Sequence, residues 1–228
     1  MSKQPETNID ASSAPACPVG ERQCRYLEEV ARLRAEVDAL GREVRTDALT
    51  GLYNFRYFSE LLEQEVERSS RSGLPMALIM VDLDHFKRVN DTWGHELGNK
   101  ALQLVAGILR SGVRRIDAVC RYGGEEMVLI LPGTQLARAI KVAERMRIQV
   151  EKAGAVLDAH EVGLTASFGV GVYPSAGVGD GATLVEKTDE LLYRAKEEGR
   201  NRVCHMTAIP EAPESQVTLD EKKALLDN

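Results

Sequence analysis

The stretch RYGGEEM, residues 121–127, lies between the apolar runs AVC (118–120) and VLILP (128–132). Two apolar segments joined through paired glycines read as a β-hairpin. Yet the turn also carries Glu125 and Glu126, side by side at the mouth of a strand that otherwise reads as buried. Like charges placed there need either a cation or a tight turn to justify them.

Working outward, MALIMV (76–81) is a continuous apolar run of strand length and leads into VDLDHFKRVND (81–91). Side chains alternate along a strand, so Asp82 and Asp84 are expected on one face at its C-terminal end. Hard divalent cations want oxygen ligands, and Mg²⁺ commonly takes one or two carboxylates and completes its shell with substrate phosphates. If the hairpin lies beside this strand, Asp82 and Glu125 would share a metal. Gly123 and Gly124 would then let phosphates lie against bare backbone. Either stretch alone is equally a solvated turn with surface acids. Two acidic strand ends in one domain weigh against that.

Around this centre the periodicity alternates between helix and strand. Asn54 can cap a helix presenting Phe58, Leu61, Leu62 and Val66 on one face, ended by SGLP (72–75). HELGNKALQLVAGILR (95–110), QLARAIKVAERMRIQV (135–150) and ATLVEKTDELLYRAKEE (182–198) read as helices. LTASFGVGVY (164–173) reads as a glycine-containing strand and RVCHM (202–206) as a last short one. The order helix, strand, helix, hairpin, helix, strand, helix predicts an α+β fold with a single mixed sheet and helices packed on it.

Residues 1–21 are rich in Ser, Ala, Pro and Gly and read as disordered, and the polar stretch 207–228 reads as a flexible tail. Between the first segment and a domain spanning 47–206, residues 22–46 carry a heptad seam: Tyr26, Val30, Leu33, Val37, Leu40 and Val44. Val at a and Leu at d favour a two-stranded parallel coiled coil, with Glu29 and Arg34 placed to pair between chains. The competing reading is an amphipathic helix packed on its own domain. About three heptads alone would make a weak dimer.

The 228 residues are 43% apolar and 28% charged, with net charge −6 and no basic tract, which argues against a nucleic-acid partner. No apolar run approaches the length of about 18 residues that would span a bilayer. The N-terminus has no secretory h-region, so no membrane insertion and a cytoplasmic location are expected. Cys17, Cys24, Cys120 and Cys204 show no metal-site spacing and read as isolated thiols.

The chain resembles the GGDEF-domain diguanylate cyclase family over about residues 46–206. DALTGL (47–52), VDLDHFKRVND, GHELGN (94–99), RYGGEEM, SFGV (167–170) and RAKEEGRN (194–201) fall in the family's order and approximate spacing. The resemblance implies a fold akin to polymerase palm and nucleotide cyclase domains. It also implies condensation of two GTP into cyclic di-GMP and two pyrophosphates, with Mg²⁺ or Mn²⁺ as cofactor. By position, Asp82, the Leu83 carbonyl and Glu125 would be metal ligands, and Glu126 a second metal ligand or a helper in activating the 3′-hydroxyl. Lys87, Lys196 and Arg200 would hold the terminal phosphates, with backbone N–H groups near His85 and Phe86. Asn90 and Asn99 would face the guanine. Lys196 and Arg200 are expected one helical turn apart, a spacing that an exposed, cation-favouring helix end would equally explain.

Each domain would bind one GTP, so two must face each other across a homodimer held by the coil. No sensor segment is expected before the coil, and input would come through the coil, the short N-terminal segment or a separate partner. Arg114 and Asp117 stand at the offset of the family's inhibitory product site, with Arg145 as a secondary contact. Taken alone, such an i, i+3 pair is usually a surface ion pair of small weight.

Three positions depart from the family pattern. Met127 replaces a Phe, at an expected modest packing cost. Phe55 stands where an Arg normally follows, leaving a linker-anchoring salt bridge without that arginine. Asn99 replaces an Asp and offers guanine one acceptor where a carboxylate offers two. A cyclase making a mixed adenine–guanine cyclic dinucleotide is therefore an alternative. So are a catalytically inactive domain acting as a cyclic di-GMP receptor and a structural coiled-coil adaptor.

Overall fold

The computed structural model describes residues 27–43, 45–173 and 180–207. The segment 1–21, Tyr26 and Val44 of the heptad, and the tail from 208 lie outside the described residues. The chain divides into two units, Met1–Arg45 and Thr46–Asn228. In the first, α1 (Leu27–Glu43) is helical as the heptad predicts, with Val30, Leu33 and Val37 exposed along it. Within the helix the Glu29 carboxylate takes Arg32 at 2.7 Å, and Arg32 also reaches Glu36 at 3.2 Å.

In the second unit, α2 (Phe55–Ser72) starts where Asn54 accepts a hydrogen bond from the Tyr57 amide and ends at Gly73 in the left-handed region. Then follow β1 (Met76–Leu83), α3 (Phe86–Ser111), β2 (Ala118–Gly123), β3 (Glu126–Pro132) and α4 (Leu136–Gly154). A small hairpin, β4 (Val156–Leu157) and β5 (His160–Glu161), precedes β6 (Ala166–Tyr173), α5 (Gly181–Glu197) and β7 (Val203–His205). The five-stranded sheet has the order β2-β3-β1-β6-β7, antiparallel throughout except for the β6–β7 pair. The predicted mixed sheet with packed helices is therefore the observed fold.

β1 is central and buried at all eight positions, which is why its sequence is a continuous apolar run rather than an alternating one. Ala77, Ile79, Val81 and Leu83 belong to the core beneath α3 and α4; Met76, Leu78 and Met80 belong to the core beneath α2 and α5. The glycines of SFGVG answer a close approach. A β-carbon on Gly169 would collide with the backbone of Thr188 and Leu192, because α5 lies directly on β6.

One local expectation is corrected, and one element is added to the expected set. The helix expected from residue 95 begins at Phe86 and is interrupted at Gly94, where φ 81 and ψ 162 turn the chain before it resumes. The β4–β5 hairpin was not anticipated. Its turn places Asp158 and Ala159 at positive φ, a conformation usually announced by Asn-Gly or Asp-Gly. Lys100 holds Asp158 at 2.7 Å, and the Trp93 and His160 rings lie 4.6 Å apart, so the hairpin is fastened to α3.

Candidate active site

The antiparallel register of β1 and β3 sets Asp82 directly opposite Glu126. Lys196, from the last turn of α5, reaches Asp82 Oδ2 at 2.8 Å. Burial raises the Asp82 pKa, Lys196 only partly offsets it, and Glu125 and Asp84 add repulsion. Glu126 is raised by burial and then by Asp82. Glu125 occupies the turn between β2 and β3, half-buried and close enough to disfavour charge on both. Leu83 ends β1 beside them.

Among the described residues no three His, Cys, Asp or Glu side chains gather closely enough to hold a metal by themselves. The donor set nevertheless suits Mg²⁺ or Mn²⁺, which need few protein carboxylates when substrate phosphates complete the shell. Two facing carboxylates with raised pKa values are a place where a cation relieves repulsion.

The glycine turn is held by a group that the sequence reading did not single out. Gly124 has φ 40, and its carbonyl accepts from Arg121 Nε at 3.0 Å and Nη2 at 2.8 Å. The same guanidinium donates through Nη1 to both Asp47 carboxylate oxygens at 3.1 Å. Asp47 also accepts from the Thr50 amide at 2.9 Å and the Thr50 hydroxyl at 2.6 Å. Burial pushes the Asp47 pKa up, but the hydrogen bonds from Thr50 and the Arg121 charge outweigh it and hold it below the usual carboxylate range. The linker segment DALTGL is thus tied to the hairpin through Arg121, although Phe55 supplies no cation. The signal was an arginine immediately before YGGEE, with an acid at the start of the linker turn.

At the start of α3, His85 adopts φ 55 and makes no side-chain cap; the Arg88 and Val89 amides turn back to its carbonyl. The first helical N–H groups, at Phe86 and Lys87, have no intrahelical acceptor, and an uncapped helix N-terminus attracts anions. Phe86 is buried and Lys87 exposed. The half-buried Asn90 side chain lies over Gly98, where a β-carbon would collide with its amide oxygen, and exposed Asn99 follows. The break at Gly94 between them sets the two asparagines on separate helical pieces.

One sequence expectation fails here. Lys196 and Arg200 are not successive turns of one helix: α5 ends at Glu197, and Arg200 lies beyond it with φ 62. Asp84 has partners of its own. Asp84, 5% exposed, accepts from Thr165 Oγ1 and Ser167 Oγ, each at 2.7 Å, and from the Asn201 amide at 3.0 Å.

A separate cleft of about 380 Å³ is lined by Gly112, Arg114, Asp117, Arg138, Lys141 and Arg145, among others. Arg145 donates to the Gly112 carbonyl at 2.5 Å. Asp117 accepts from the Arg114 amide at 2.8 Å through Oδ2, while its buried Oδ1 has no partner among the described residues. Burial raises the Asp117 pKa, partly offset by Arg114. The predicted trio Arg114, Asp117 and Arg145 is brought together. Arg138 and Lys141 join it, legible only as basic residues spaced along one face of α4.

Residues 44–202 match the family model described as diguanylate cyclase, GGDEF domain. The chain is 43% identical over 164 residues to the response regulator PleD of Caulobacter vibrioides, covering 72% of this chain and 36% of that protein. It is 40% identical over 158 residues to the diguanylate cyclase DgcP of Pseudomonas aeruginosa, covering 69% and 23%. The chain thus spans about a third or less of the length of these curated relatives. Among solved structures, the coiled coil and GGDEF domain of DgcB from Caulobacter crescentus, in complex with c-di-GMP, superposes with a TM-score of 0.68 at 29% identity. That alignment covers 78% of this chain and 94% of that one.

Proposed function

The chain belongs to the GGDEF diguanylate cyclase family, and from that premise we propose that it condenses two GTP into cyclic di-GMP and two pyrophosphates across a homodimer. The observation that carries this reading is the corner where Asp82 faces Glu126 with Lys196 at 2.8 Å.

A bound Mg²⁺ or Mn²⁺ would be held by Asp82, Glu125 and the Leu83 carbonyl, with Glu126 beside it, and would supply Lewis-acid stabilisation of the reacting phosphate. The chain's own groups do the rest. The N-terminus of α3, with Lys87, would receive the terminal phosphates, and Arg200 would close on them from the turn after α5. Lys196 can exchange Asp82 for a phosphate by rotating its flexible stem. The 3′-hydroxyl of one GTP attacks the α-phosphorus of the GTP on the partner domain. As the new P–O bond forms, the bond to pyrophosphate breaks, and the leaving charge falls to Lys87, Lys196 and Arg200. Glu126, whose raised pKa suits it to accept a proton, would take the hydroxyl proton. Asn90 and Asn99 would face the guanine.

Two domains must meet for both bonds to form. The exposed Val30, Leu33 and Val37 stripe supports a parallel coil that raises the local concentration of the second domain. Product would return to the cleft lined by Arg114, Asp117 and Arg145, where the guanidinium groups would meet its phosphates. Among the described residues no helix is long and apolar enough to cross a membrane; we read the site of action as the cytoplasm, where GTP is held.

The test is incubation of the purified chain with Mg²⁺ and GTP, ATP or both, with products resolved by chromatography. Cyclic di-GMP from GTP is expected. Binding of cyclic di-GMP with no turnover would instead make this a receptor.

A further inference from the structure

We propose that Asp84 is a positioning residue for the phosphate clamp: it fastens the turn that presents Arg200, without touching the nucleotide. This rests on the reading of Arg200 as a phosphate ligand. Arg200 and Asn201 both adopt positive φ, 62 and 46, in a turn that follows Gly199. Such a conformation disfavours an arginine and needs outside support.

The support is visible on every side of the turn. The Arg200 amide donates to the Ala195 carbonyl at 3.0 Å, closing the end of α5. The Asn201 amide donates to Asp84 Oδ2 at 3.0 Å. The Asn201 side chain accepts from Arg147 Nη1 at 2.9 Å and donates to Glu151 Oε1 at 2.8 Å, tying the turn to α4. Asp84 is itself anchored: Thr165 and Ser167 of the β6 side each donate to it at 2.7 Å, and its own amide donates to the Thr165 carbonyl at 2.9 Å. A carboxylate is the side chain that can accept all three side-chain and backbone donors at once; an amide in its place would turn an N–H₂ group toward one of them.

Asp84 also stands between the end of β1, where Asp82 lies, and His85, which begins the α3 terminus. One buried side chain therefore sets the Arg200 turn relative to the proposed metal ligand Asp82 and the α3 terminus proposed to receive phosphates. The guanidinium of exposed Arg200 has no such anchor of its own in the observed hydrogen bonds among the described residues; its placement comes through the backbone.

The test compares binding of a non-hydrolysable GTP analogue and of GMP, by calorimetry with Mg²⁺ present, for the wild-type chain, Asp84→Asn, Arg200→Ala and the double variant. GMP lacks the terminal phosphates and reports the rest of the site. Asp84→Asn is expected to weaken the GTP analogue about tenfold while leaving GMP within about twofold, and to add nothing further in the Arg200→Ala background. Equal losses for both nucleotides, or an undiminished loss in the Arg200→Ala background, would overturn the proposal and leave Asp84 a purely structural residue. If Arg200→Ala itself leaves the preference for the GTP analogue over GMP unchanged, the phosphate role of Arg200 fails first and this inference falls with it. Should Asp84→Asn not fold, Thr165→Val keeps the shape of the side chain and the Asp84 carboxylate but removes the hydroxyl that holds Asp84 Oδ2. It must then show the same selective loss for the GTP analogue, and equal losses for both nucleotides would overturn the proposal.

Discussion

Two carboxylate settings lie on either side of the same hairpin and have opposite energetics. On the β1 side, buried Asp82 and half-buried Glu126 face each other across the register, with pKa values raised and Lys196 as partial relief. On the linker side, Asp47 receives Thr50 and both oxygens of its carboxylate take Arg121, and its pKa is lowered. The first corner holds charge that the fold would rather neutralise; the second uses charge to hold the fold. The hairpin lies between a corner of opposed carboxylates and a clamp already satisfied. That difference separates residues whose loss should silence the chemistry from residues whose loss should loosen the scaffold.

The largest expected effect breaks the first setting. Asp82→Asn, Glu125→Gln or Glu126→Gln should each lower cyclic di-GMP formation about a hundredfold or more, read by product chromatography. The Asp82 and Glu126 variants should not lower the melting temperature, because each removes a charge that burial disfavours. A loss of activity explained by unfolding would defeat the comparison.

Arg121→Met breaks the second setting. The pair is about one-fifth exposed on each side (19% and 22%), so its loss leaves Asp47 mostly buried without its counter-charge and held only by Thr50. A cost of about 2 kcal/mol follows, seen as a melting temperature lower by about 4–8 °C. Activity should fall less than in the acidic-corner variants, through loosening of the Gly124 carbonyl.

The pH dependence of stability sharpens the contrast, since the two settings carry opposite signs. Asp47 has a folded pKa below its unfolded value. Its stabilisation is present above the ordinary carboxylate range and is lost as pH falls through the lowered folded value. Asp82 and Glu126 have raised folded values. Their contribution is present below the unfolded pKa and lost as pH rises through the folded pKa. Thermal denaturation between about pH 3 and 7 should therefore show a shallower acid limb in Arg121→Met. Asp82→Asn should instead lose part of the stability gained on mild acidification. Identical profiles for the two variants would show that the settings do not differ.

The smallest effect concerns Asn99, exposed beyond the Gly94 break. Asn99→Asp restores a second acceptor and should shift product ratios toward cyclic di-GMP when GTP and ATP compete, by roughly threefold or more, with stability unchanged. An unaltered ratio would show that base selection rests elsewhere, with Asn90 over Gly98 the nearest candidate.

Much of this was legible because it is written locally. The continuous run MALIMV marks a strand covered on both faces, and Asn54 marks the start of α2, where its side chain does accept the Tyr57 amide. The acidic strand ends and the glycine turn are the residues on which the proposed cation and phosphate site rests. What escaped was written in chain segments far apart. Arg121 and Asp47 are separated by 74 positions and Asp84 and Asn201 by 117, and nothing in either neighbourhood names its partner. The β4–β5 turn escaped because Asp158-Ala159 adopts positive φ without glycine, a cost met by the Lys100 and Trp93 contacts rather than by local preference.

By itself the sequence determined the alternation of helices and strands, the acidic and glycine-rich motifs and hence the family. These depend on side-chain periodicity and on residue types whose chemistry is fixed. Only the tertiary structure decided which of the neighbouring acids does what. A strand register places Asp82 opposite Glu126, whereas Asp84, two residues on, meets Thr165, Ser167 and the Arg200 turn. The physical reason is that a carboxylate's role is set by the donors and charges that surround it, and the fold brings those from segments the local sequence does not specify.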